Sequence, residues 1–325
     1  MCRMEAALAE IDGWVEEGAV PGVSVAVVSA SGLVAERCAG VVARGEAAPV
    51  TPATLFALAS LTKPIVGVAC AVAVEEGLLD LDAEVAHGYS LRHLLSHAAG
   101  VDEDTDEPTF APGTRRAYSN RGYRLAGELL ERSSGIALAT YLRAGVLEPL
   151  GGEIVFGLPS ELAARTATVY QPGGTGDREL FNSDTFRAAP RAPSGAFATA
   201  RGYGRLLSCL LAGGRTPGGS LLAAETVSEL LACQFGPLPG VVAGVGSWPD
   251  LCWGLGFDVR GGREPHWTGA GLSPAAASHF GASGTLAWLD PERGIGVVAL
   301  ANRGTYSGWW STRWPALTAA VLAAL

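Results

Sequence analysis

This chain of 325 residues almost lacks lysine: Lys63 is the only one, whereas arginine occurs 22 times. Arginine stays charged at any physiological pH, so a position that uses lysine instead indicates a need for an amine that can lose its proton. Lys63 stands three residues after Ser60, and on a helix that begins at Ser60 this spacing puts the amine within reach of the hydroxyl. The pair predicts a self-activated nucleophile, but the tetrad alone fits a surface lysine equally well.

The chain also lacks a basic stripe and a long apolar run. Its net charge is -9, which argues against binding to nucleic acid or to an anionic membrane. The longest uncharged apolar run, residues 64–74, is shorter than the roughly 18 residues that a membrane span needs. Residues 1–12 carry three acidic side chains and do not resemble a secretory signal. We therefore expect a cytoplasmic protein whose partner is a small molecule.

The sequence contains no CxxC pair and none of several common nucleotide or nucleophile motifs. Its six cysteines are scattered, so we expect reduced thiols in the core, with no metal site and no cofactor. The Gly-x-Ser-x-Gly elbow, the Walker loop and the dinucleotide-binding glycine fingerprint are all absent. These absences argue against an α/β-hydrolase, an NTPase and a dehydrogenase.

Two groups of residues have a superficial likeness to metal sites. His93 and His97 are four residues apart in a predicted helix, but no third ligand is near and there is no His-Glu-x-x-His sequence, so structural roles are favoured. The acidic run over residues 102–106 begins like a calcium loop, yet Glu107 occupies the position that requires glycine. A solvated loop is the favoured interpretation of that run.

The hydrophobic pattern predicts strands at both ends of the chain and helices between them. Strands are predicted over residues 21–30, 33–42, 251–259, 284–290 and 294–301. Helices are predicted over residues 4–17, 60–76, 91–98, 120–133, 137–144, 200–212, 223–233 and 312–325. This order indicates one sheet that is interrupted by a helical insertion.

Two more local sequences carry chemistry. Tyr118-Ser119-Asn120 stands directly before a predicted helix, where a phenol and a carboxamide can project from a loop into a cleft. His279-Phe280-Gly281-Ala282 precedes a predicted strand, where backbone N–H groups can point at a substrate oxygen.

With Ser60 to Lys63, Tyr118 to Asn120 and His279 to Gly281 in this order, the chain resembles the serine β-lactamase and penicillin-binding protein family. The boxes of that family are Ser-x-x-Lys, Tyr-x-Asn and Lys/His-x-Gly. The likeness is greatest to the class C-like branch, which includes D,D-peptidases, D-aminopeptidases and family VIII carboxylesterases. Flanking stretches also match: Leu94-Leu95-Ser96-His97, Pro112-Gly113-Thr114, Pro149-Leu150-Gly151 and Trp288-Leu289-Asp290-Pro291.

The resemblance implies an α+β fold of the β-lactamase and transpeptidase type. Such a fold has an antiparallel sheet flanked by helices, with an inserted all-helical subdomain. We expect residues 1–62 and 190–325 to form the sheet subdomain and residues 63–189 the helical one, in one continuous unit.

The resemblance also implies a mechanism in which Ser60 attacks a carbonyl and forms an acyl-enzyme. A lysine must lower its pKa by roughly three units from about 10.4 to be half neutral at pH 7. Lys63 in its charged form would lower the pKa of the Tyr118 phenol, so the two groups are expected to act as one shared base.

The remaining roles concern the substrate. Asn120 is expected to orient Lys63 or the substrate carbonyl, and the backbone N–H groups of Ser60 and Ala282 to form the oxyanion hole. His279 and Gly281 would line the edge of the cleft. His279 replaces the lysine of true lactamases, and a mostly neutral imidazole recognises a substrate carboxylate poorly.

Two features near the C-terminus have two interpretations each. His266-Trp267-Thr268-Gly269 is a rival for the third box, but the Trp288-Leu289-Asp290-Pro291 stretch lies at the right distance only from His279, which is favoured. The tryptophans within residues 309–314 could line an acyl pocket, although docking of the last helix is their more ordinary use.

The sequence thus predicts a serine hydrolase that cleaves a small ester or amide, with esterase activity favoured over β-lactamase activity. One alternative is an acyltransferase of a biosynthetic pathway that uses the same acyl-enzyme. A second alternative is a non-catalytic binding protein on the same fold.

Overall fold

The computed structural model describes residues 3–102, 105–171, 180–242 and 244–325. The α-helices are α1 (Arg3–Leu8), α2 (Glu10–Glu16), α3 (Thr62–Glu75), α4 (Leu91–Leu95), α5 (Asn120–Ser134), α6 (Leu138–Leu142), α7 (Asp184–Ala188), α8 (Ala200–Leu211), α9 (Ala224–Leu231) and α10 (Trp310–Ala324). Shorter helical turns are a 3₁₀ turn at Ala59–Leu61, a π turn at Arg143–Leu147, and 3₁₀ turns at Ser160–Arg165 and Thr305–Ser307. Across the described ranges, no helix has both the length and the apolar character that crossing a membrane requires.

The strands are β1 (Gly22–Ser29), β2 (Gly32–Gly40), β3 (Phe56–Ala57), β4 (Glu84–Ala86), β5 (Tyr89–Ser90), β6 (Arg116–Ala117), β7 (Ile154–Phe156), β8 (Ala196–Ala198), β9 (Arg215–Thr216), β10 (Gly219–Ser220), β11 (Leu238–Val242), β12 (Gly246–Trp253), β13 (Asp258–Val259), β14 (Ala277–Gly281), β15 (Thr285–Asp290) and β16 (Ile295–Ala301).

One nine-stranded sheet forms the centre of the fold, in the order β2-β1-β16-β15-β14-β13-β12-β11-β6. Neighbouring strands are antiparallel except β6, which pairs in parallel with β11. The first and last long strands are neighbours, with Val23 opposite Ala301 and Ser29 opposite Ile295. The predicted α+β fold, a sheet that unites both ends of the chain around a helical insertion, is confirmed.

The central strands are apolar because both faces of the sheet are covered. Along β1, Val25 and Val27 pack against one core together with α1, α2 and α10. Ala26 and Val28 point to the opposite face and pack with α3 and α8. Successive side chains on a strand alternate between faces, so a strand that is covered on both sides has no polar positions in its pattern.

Helix α3 lies against the sheet and carries the lysine of the first box. Its residues are almost all buried, and Pro64 is tolerated because it falls in the first turn, where an N–H has no helical partner. A Cβ at Gly67 would overlap the carbonyl oxygen of Leu255, so glycine allows the close approach of the two backbones. The helix is followed by Gly77 at a φ of 72°.

The predicted strand over residues 251–259 was wrong. The chain reverses after Trp253, so that β12 and β13 pair with each other and Cys252 lies opposite Val259. The turn between them is closed by the N–H of Gly254, which donates to the carbonyl of Phe257 (2.8 Å). The last three residues of β12, the turn and β13 are all buried, so the turn has none of the polar residues that mark an exposed reversal.

Other differences concern element boundaries. The predicted helix over residues 4–17 is divided at Ala9 into α1 and α2, and the helix predicted over residues 137–144 ends at Leu142 and passes into the π turn. Strands β6 and β11 were not predicted, because β6 at the edge of the sheet has only two residues and β11 contains Pro239 and Gly240, which are uncommon within strands.

The expectation that all the cysteines are reduced was also wrong. Cys233, just after α9, forms a disulfide with Cys252 in β12. Cys70 and Cys209 are free and buried, and Cys38 is free and half-buried. The two bonded residues are 19 positions apart, and they meet where the segment after α9 runs beside the end of β12, with the N–H of Gln234 donating to the carbonyl of Trp253 (2.9 Å).

The division of the chain into a sheet subdomain and a helical one stays a prediction. Helices α4 to α7 lie within residues 63–189, together with the short strands β4, β5, β6 and β7, and α3 begins one residue before this range.

Candidate active site

Ser60 lies in the 3₁₀ turn that connects β3 to α3, two residues before the helix begins. The preceding residue, Ala59, has a φ of 46°, in the left-handed region that costs a residue other than glycine about 1–2 kcal/mol. Ser60 is half-buried, whereas the residues on both sides of it are buried. The Ser60 hydroxyl is therefore partly accessible to solvent, although the segment around it is buried.

The β14–β15 hairpin holds this turn in place. Ser283 Oγ donates to the carbonyl of Ala57 (2.6 Å), and Thr285 Oγ1 donates to the carbonyl of Leu58 (3.0 Å). A Cβ at Gly281 would overlap the same Leu58 carbonyl oxygen, so the glycine of the third box is a steric requirement. Hydrogen bonds from side-chain hydroxyls after the third box to backbone carbonyls before the first box thus hold the two boxes together.

Lys63 is fully buried and its amine is surrounded by acceptors. Nζ donates to Ser60 Oγ (3.0 Å), to Asn120 Oδ1 (2.9 Å) and to the carbonyl oxygen of Pro193 (3.1 Å). An ammonium has three N–H donors, and these three oxygens can accept all of them. The sequence prediction that Lys63 lies beside the Ser60 hydroxyl matches this geometry.

Tyr118 is the second group that contacts the Ser60 hydroxyl. Burial raises the pKa of Tyr118 above its ordinary value, and the hydrogen bond with Ser60 lowers that pKa by less. The phenol is therefore protonated in the resting site. Lys63 Nζ lies 4.7 Å from the centre of the Tyr118 ring, close enough for a cation–π contact.

His279 lies on β14 and is buried. Its Nδ1 contacts the carbonyl oxygen of Phe280 at 2.8 Å, so Nδ1 carries the proton of the neutral ring. Burial, and secondarily the charge of Lys63, lower the pKa of His279 to about 3. The centres of the His279 and Tyr118 rings are 6.0 Å apart, so the third box faces the same cluster as the first two.

The rival third box lies among different partners. His266 Nδ1 contacts Thr268 Oγ1 at 2.7 Å, and Nε2 lies 3.5 Å from a carboxylate oxygen of Asp258. Arg263 forms an ion pair with the same carboxylate. The contacts of His266 are thus with a buried ion pair, whereas the ring of His279 faces Tyr118.

The other residues discussed from the sequence have structural contacts. His93 Nδ1 accepts from the backbone N–H of Ser90 (3.1 Å) and closes the first turn of α4, while His97 lies beyond the end of that helix. Asp106 forms an ion pair with Arg121, and residues 103 and 104 lie outside the described residues.

The tryptophans near the C-terminus pack the last helix. Trp309 lies 5.8 Å from Trp14 of α2, and Trp314 lies 6.1 Å from Phe280 (ring centres). Phe280 neighbours His279 on β14 but points to the opposite face of the sheet, so these contacts belong to helix docking.

Sequence reasoning missed three residues that support the site. The carbonyl oxygen of Pro193 accepts from Lys63 Nζ (3.1 Å). Ser283 and Thr285 follow the third box directly. Hydroxyl residues next to a box are a weak signal, because their partners are backbone atoms far away in the chain.

The sequence and the fold are similar to those of known proteins. The sequence model of the family described as Beta-lactamase matches residues 5–320. The chain is similar to a solved β-lactamase from Mycobacterium bovis, with 34% identity, a TM-score of 0.75 and 98% of each chain covered. It is also similar to esterase EstB of Burkholderia gladioli, with 28% identity over 86% of this chain and 85% of the relative. A solved family VIII carboxylesterase shares the fold, with 21% identity, a TM-score of 0.85, and 100% of this chain and 99% of the other covered.

Proposed function

Because this chain belongs to the β-lactamase family, we propose that it is a serine hydrolase in which Ser60 forms an acyl-enzyme with a small ester or amide. One observation carries the proposal: the half-buried Ser60 hydroxyl accepts a hydrogen bond from the buried amine of Lys63 (3.0 Å) beside the phenol of Tyr118. A serine that is flanked by an amine and a phenol has a proton acceptor and a proton donor within direct reach.

In the acylation step, Ser60 Oγ forms a bond to the substrate carbonyl carbon and loses its proton to Lys63 Nζ, which must be neutral at that moment. The bond from carbon to the leaving group then breaks, and the Lys63–Tyr118 pair returns the proton to the departing oxygen or nitrogen. Because burial keeps Tyr118 protonated, we assign the base role mainly to Lys63 and the acid role to the phenol. In deacylation, the oxygen of a water molecule attacks the acyl carbon while Lys63 accepts a proton from the water. The bond from the acyl carbon to Ser60 Oγ then breaks, and Ser60 recovers its proton from the Lys63–Tyr118 pair.

The negative charge that develops on the carbonyl oxygen needs donors. We assign this role to the backbone N–H groups of Ser60 and Ala282, each worth about 3 kcal/mol in the transition state. The N–H of Ala282 shares a peptide plane with the carbonyl of Gly281, which accepts from the N–H of Gly284 (2.9 Å). The β14–β15 hairpin is also held to the Ser60 turn, so the orientation of this N–H is restrained. Asn120 restrains Lys63 from the other side.

The charge of the site favours an uncharged acyl donor. With a pKa of about 3, His279 is neutral at physiological pH and supplies no cation for a substrate carboxylate. Cleavage of a neutral ester is therefore favoured over cleavage of a penicillin or a peptide with a free carboxylate.

Labelling with a fluorophosphonate tests the proposal. The intact mass of the purified protein should increase by one phosphonyl group, and Ser60→Ala should remain unlabelled. The wild type should also hydrolyse p-nitrophenyl butyrate with a burst of p-nitrophenol, and added alcohol will separate hydrolysis from acyl transfer. Equal labelling of the wild type and Ser60→Ala would disprove the role of Ser60.

A further inference from the structure

His97 occupies an unusual position between α4 and the Tyr118 loop. It is buried, with 2% of its surface exposed, and its φ of 58° lies in the left-handed region. A strained backbone of this kind persists only where the surroundings hold it, and it is commonest at functional sites. None of the roles described above uses this side chain.

The residue bonds the chain on both sides of Tyr118. The carbonyl oxygen of His97 accepts from the backbone N–H of Ala117 (3.0 Å). Its Nδ1 accepts from the backbone N–H of Ser119 (3.0 Å). An imidazole nitrogen that accepts carries no proton, so the proton of the neutral ring is on Nε2. Tyr118 is therefore held between two hydrogen bonds to a single residue.

The ring of His97 also packs on the phenol. The ring centres of His97 and Tyr118 are 4.4 Å apart, and Trp253 lies 4.8 Å from His97 and 5.8 Å from Tyr118. His97 and Trp253 thus both lie against the phenol ring. The rotation and the shift of Tyr118 are both restricted by these contacts.

The protonation state of His97 suits this contact. Burial, followed by the charge of Lys63, lowers the pKa of His97 well below its ordinary value. Charged groups near it are Lys63 and Arg116, and His279 is a neutral neighbour. A protonated Nδ1 could not accept from Ser119, so the neutral ring is the form that holds the loop.

The ring carries a cost that a simple packing residue would avoid. Within the described part of the chain, His97 Nε2 is buried and has no hydrogen-bond partner. A buried N–H without a partner costs free energy, and phenylalanine would fill a similar volume without that cost. The polar contribution of His97 is thus the acceptor at Nδ1.

We propose that His97 is a positioning residue that holds the Tyr118 hydroxyl against Ser60 by bonding both neighbours of Tyr118 and packing on its ring. The inference rests on the proposed function for its consequence in catalysis. The geometric part, restraint of the Tyr118 ring, does not depend on any activity.

His93 offers a matched control. It also accepts a backbone N–H at Nδ1 (from Ser90, 3.1 Å), packs on an aromatic ring (Phe235, 4.3 Å) and has a pKa lowered by burial. No contact joins His93 to Ser60, Lys63 or Tyr118 within the described ranges. Exchange of His93 therefore reports the cost of losing a structural histidine.

The experiment compares His97→Asn with His93→Asn, each alone and combined with Tyr118→Phe. Asparagine tolerates positive φ, so His97→Asn avoids added backbone strain. We expect His97→Asn to lower kcat for p-nitrophenyl butyrate and the rate of fluorophosphonate labelling by about 10²-fold, with KM changed less than about twofold. His93→Asn should change neither rate by more than about twofold.

The combined variants separate positioning from general damage. If His97 acts through the Tyr118 hydroxyl, His97→Asn will have almost no further effect in the Tyr118→Phe background. An equal loss in both backgrounds would overturn the proposal. If His97→Asn does not fold, His97→Phe keeps the ring and removes the acceptor, and we expect about a tenfold loss of kcat that likewise disappears with Tyr118→Phe.

A spectroscopic readout is independent of the reaction. When the tyrosines are labelled with ¹³C at Cζ, the resonance that disappears in the Tyr118→Phe spectrum is assigned to Tyr118. We expect that resonance to shift or broaden in His97→Asn and to stay unchanged in His93→Asn. An unchanged resonance in His97→Asn would disprove the restraint. If Ser60 is not labelled in the wild type, the proposed function fails, but this comparison still decides the inference.

Discussion

Two histidine-containing segments of this chain look alike in sequence and differ in their surroundings. His279-Phe280-Gly281 and His266-Trp267-Thr268-Gly269 are both short, aromatic and buried. Around His266, the carboxylate of Asp258 and the guanidinium of Arg263 are both buried and paired with each other. Around His279, the nearest charge is Lys63, whose amine is bonded to neutral oxygens.

The difference separates a structural cluster from the cluster that we propose to be reactive. The opposite charges of Asp258 and Arg263 satisfy one another, so that cluster has no group that is ready to exchange a proton with a substrate. The amine of Lys63 is fully buried, and one of its partners is the half-buried Ser60 hydroxyl. Burial disfavours the charged form of an amine, and the proposed role of Lys63 as proton acceptor requires the neutral form.

The largest expected effect is that of Lys63→Arg, which keeps the charge and removes the ability to become neutral. We expect acylation of Ser60 by a fluorophosphonate to slow by about 10⁴-fold, because guanidinium cannot accept the serine proton. The control is the reverse exchange in the other cluster, Arg263→Lys, which should leave the labelling rate within about twofold. A near-normal rate in Lys63→Arg would remove Lys63 from the base role.

A smaller effect, on stability, is expected from Asp258→Asn. The change leaves the buried guanidinium of Arg263 without its counter-ion, and it should lower the free energy of unfolding by about 3 kcal/mol in urea titrations. The labelling rate of Ser60 in the folded variant should stay within about twofold of the wild type. A tenfold slower rate with unchanged stability would mean that this cluster is part of the active site.

The smallest effect concerns pH. The pKa of His279 is about 3 in the folded protein and about 6.5 when it is unfolded, so the unfolded chain binds a proton as the pH falls below about 6.5 and the folded chain does not. Stability therefore falls with acidification, by about 2 kcal/mol at about pH 5 from this residue alone. His279→Gln should lose that much less stability between about pH 7 and pH 5. If the free energy of unfolding fell equally with pH in the wild type and in His279→Gln, the neutral, buried state of His279 would be contradicted.

Much of the site could be predicted because its first pair is local. Ser60 and Lys63 are three residues apart, and a helical turn brings such residues together whatever the rest of the fold does. Asn120 follows Tyr118 at the start of α5, and Ser119 caps that helix by accepting from the N–H of Gly122 (3.0 Å). The long strands β1, β15 and β16 were predicted within one or two residues because their apolar runs are continuous.

Features that depend on distant contacts could not be predicted in this way. The disulfide between Cys233 and Cys252 and the reversal between β12 and β13 both follow from which strands become neighbours. The hydrogen bond from the N–H of Ser119 to the His97 ring nitrogen joins residues that are 22 positions apart in the sequence. Local patterns have no information about such pairings, because the same residues would be compatible with several registers.

By itself, the amino-acid sequence determined the order of the three boxes, the Ser60–Lys63 pairing and an α+β architecture in which the two ends of the chain share one sheet. These properties depend on short spacings and on hydrophobic periodicity, which every segment carries locally. The tertiary structure alone decided which histidine faces Tyr118, that His279 is neutral and that the phenol keeps its proton. Protonation depends on burial and on nearby charge, and both arise only when distant segments pack together.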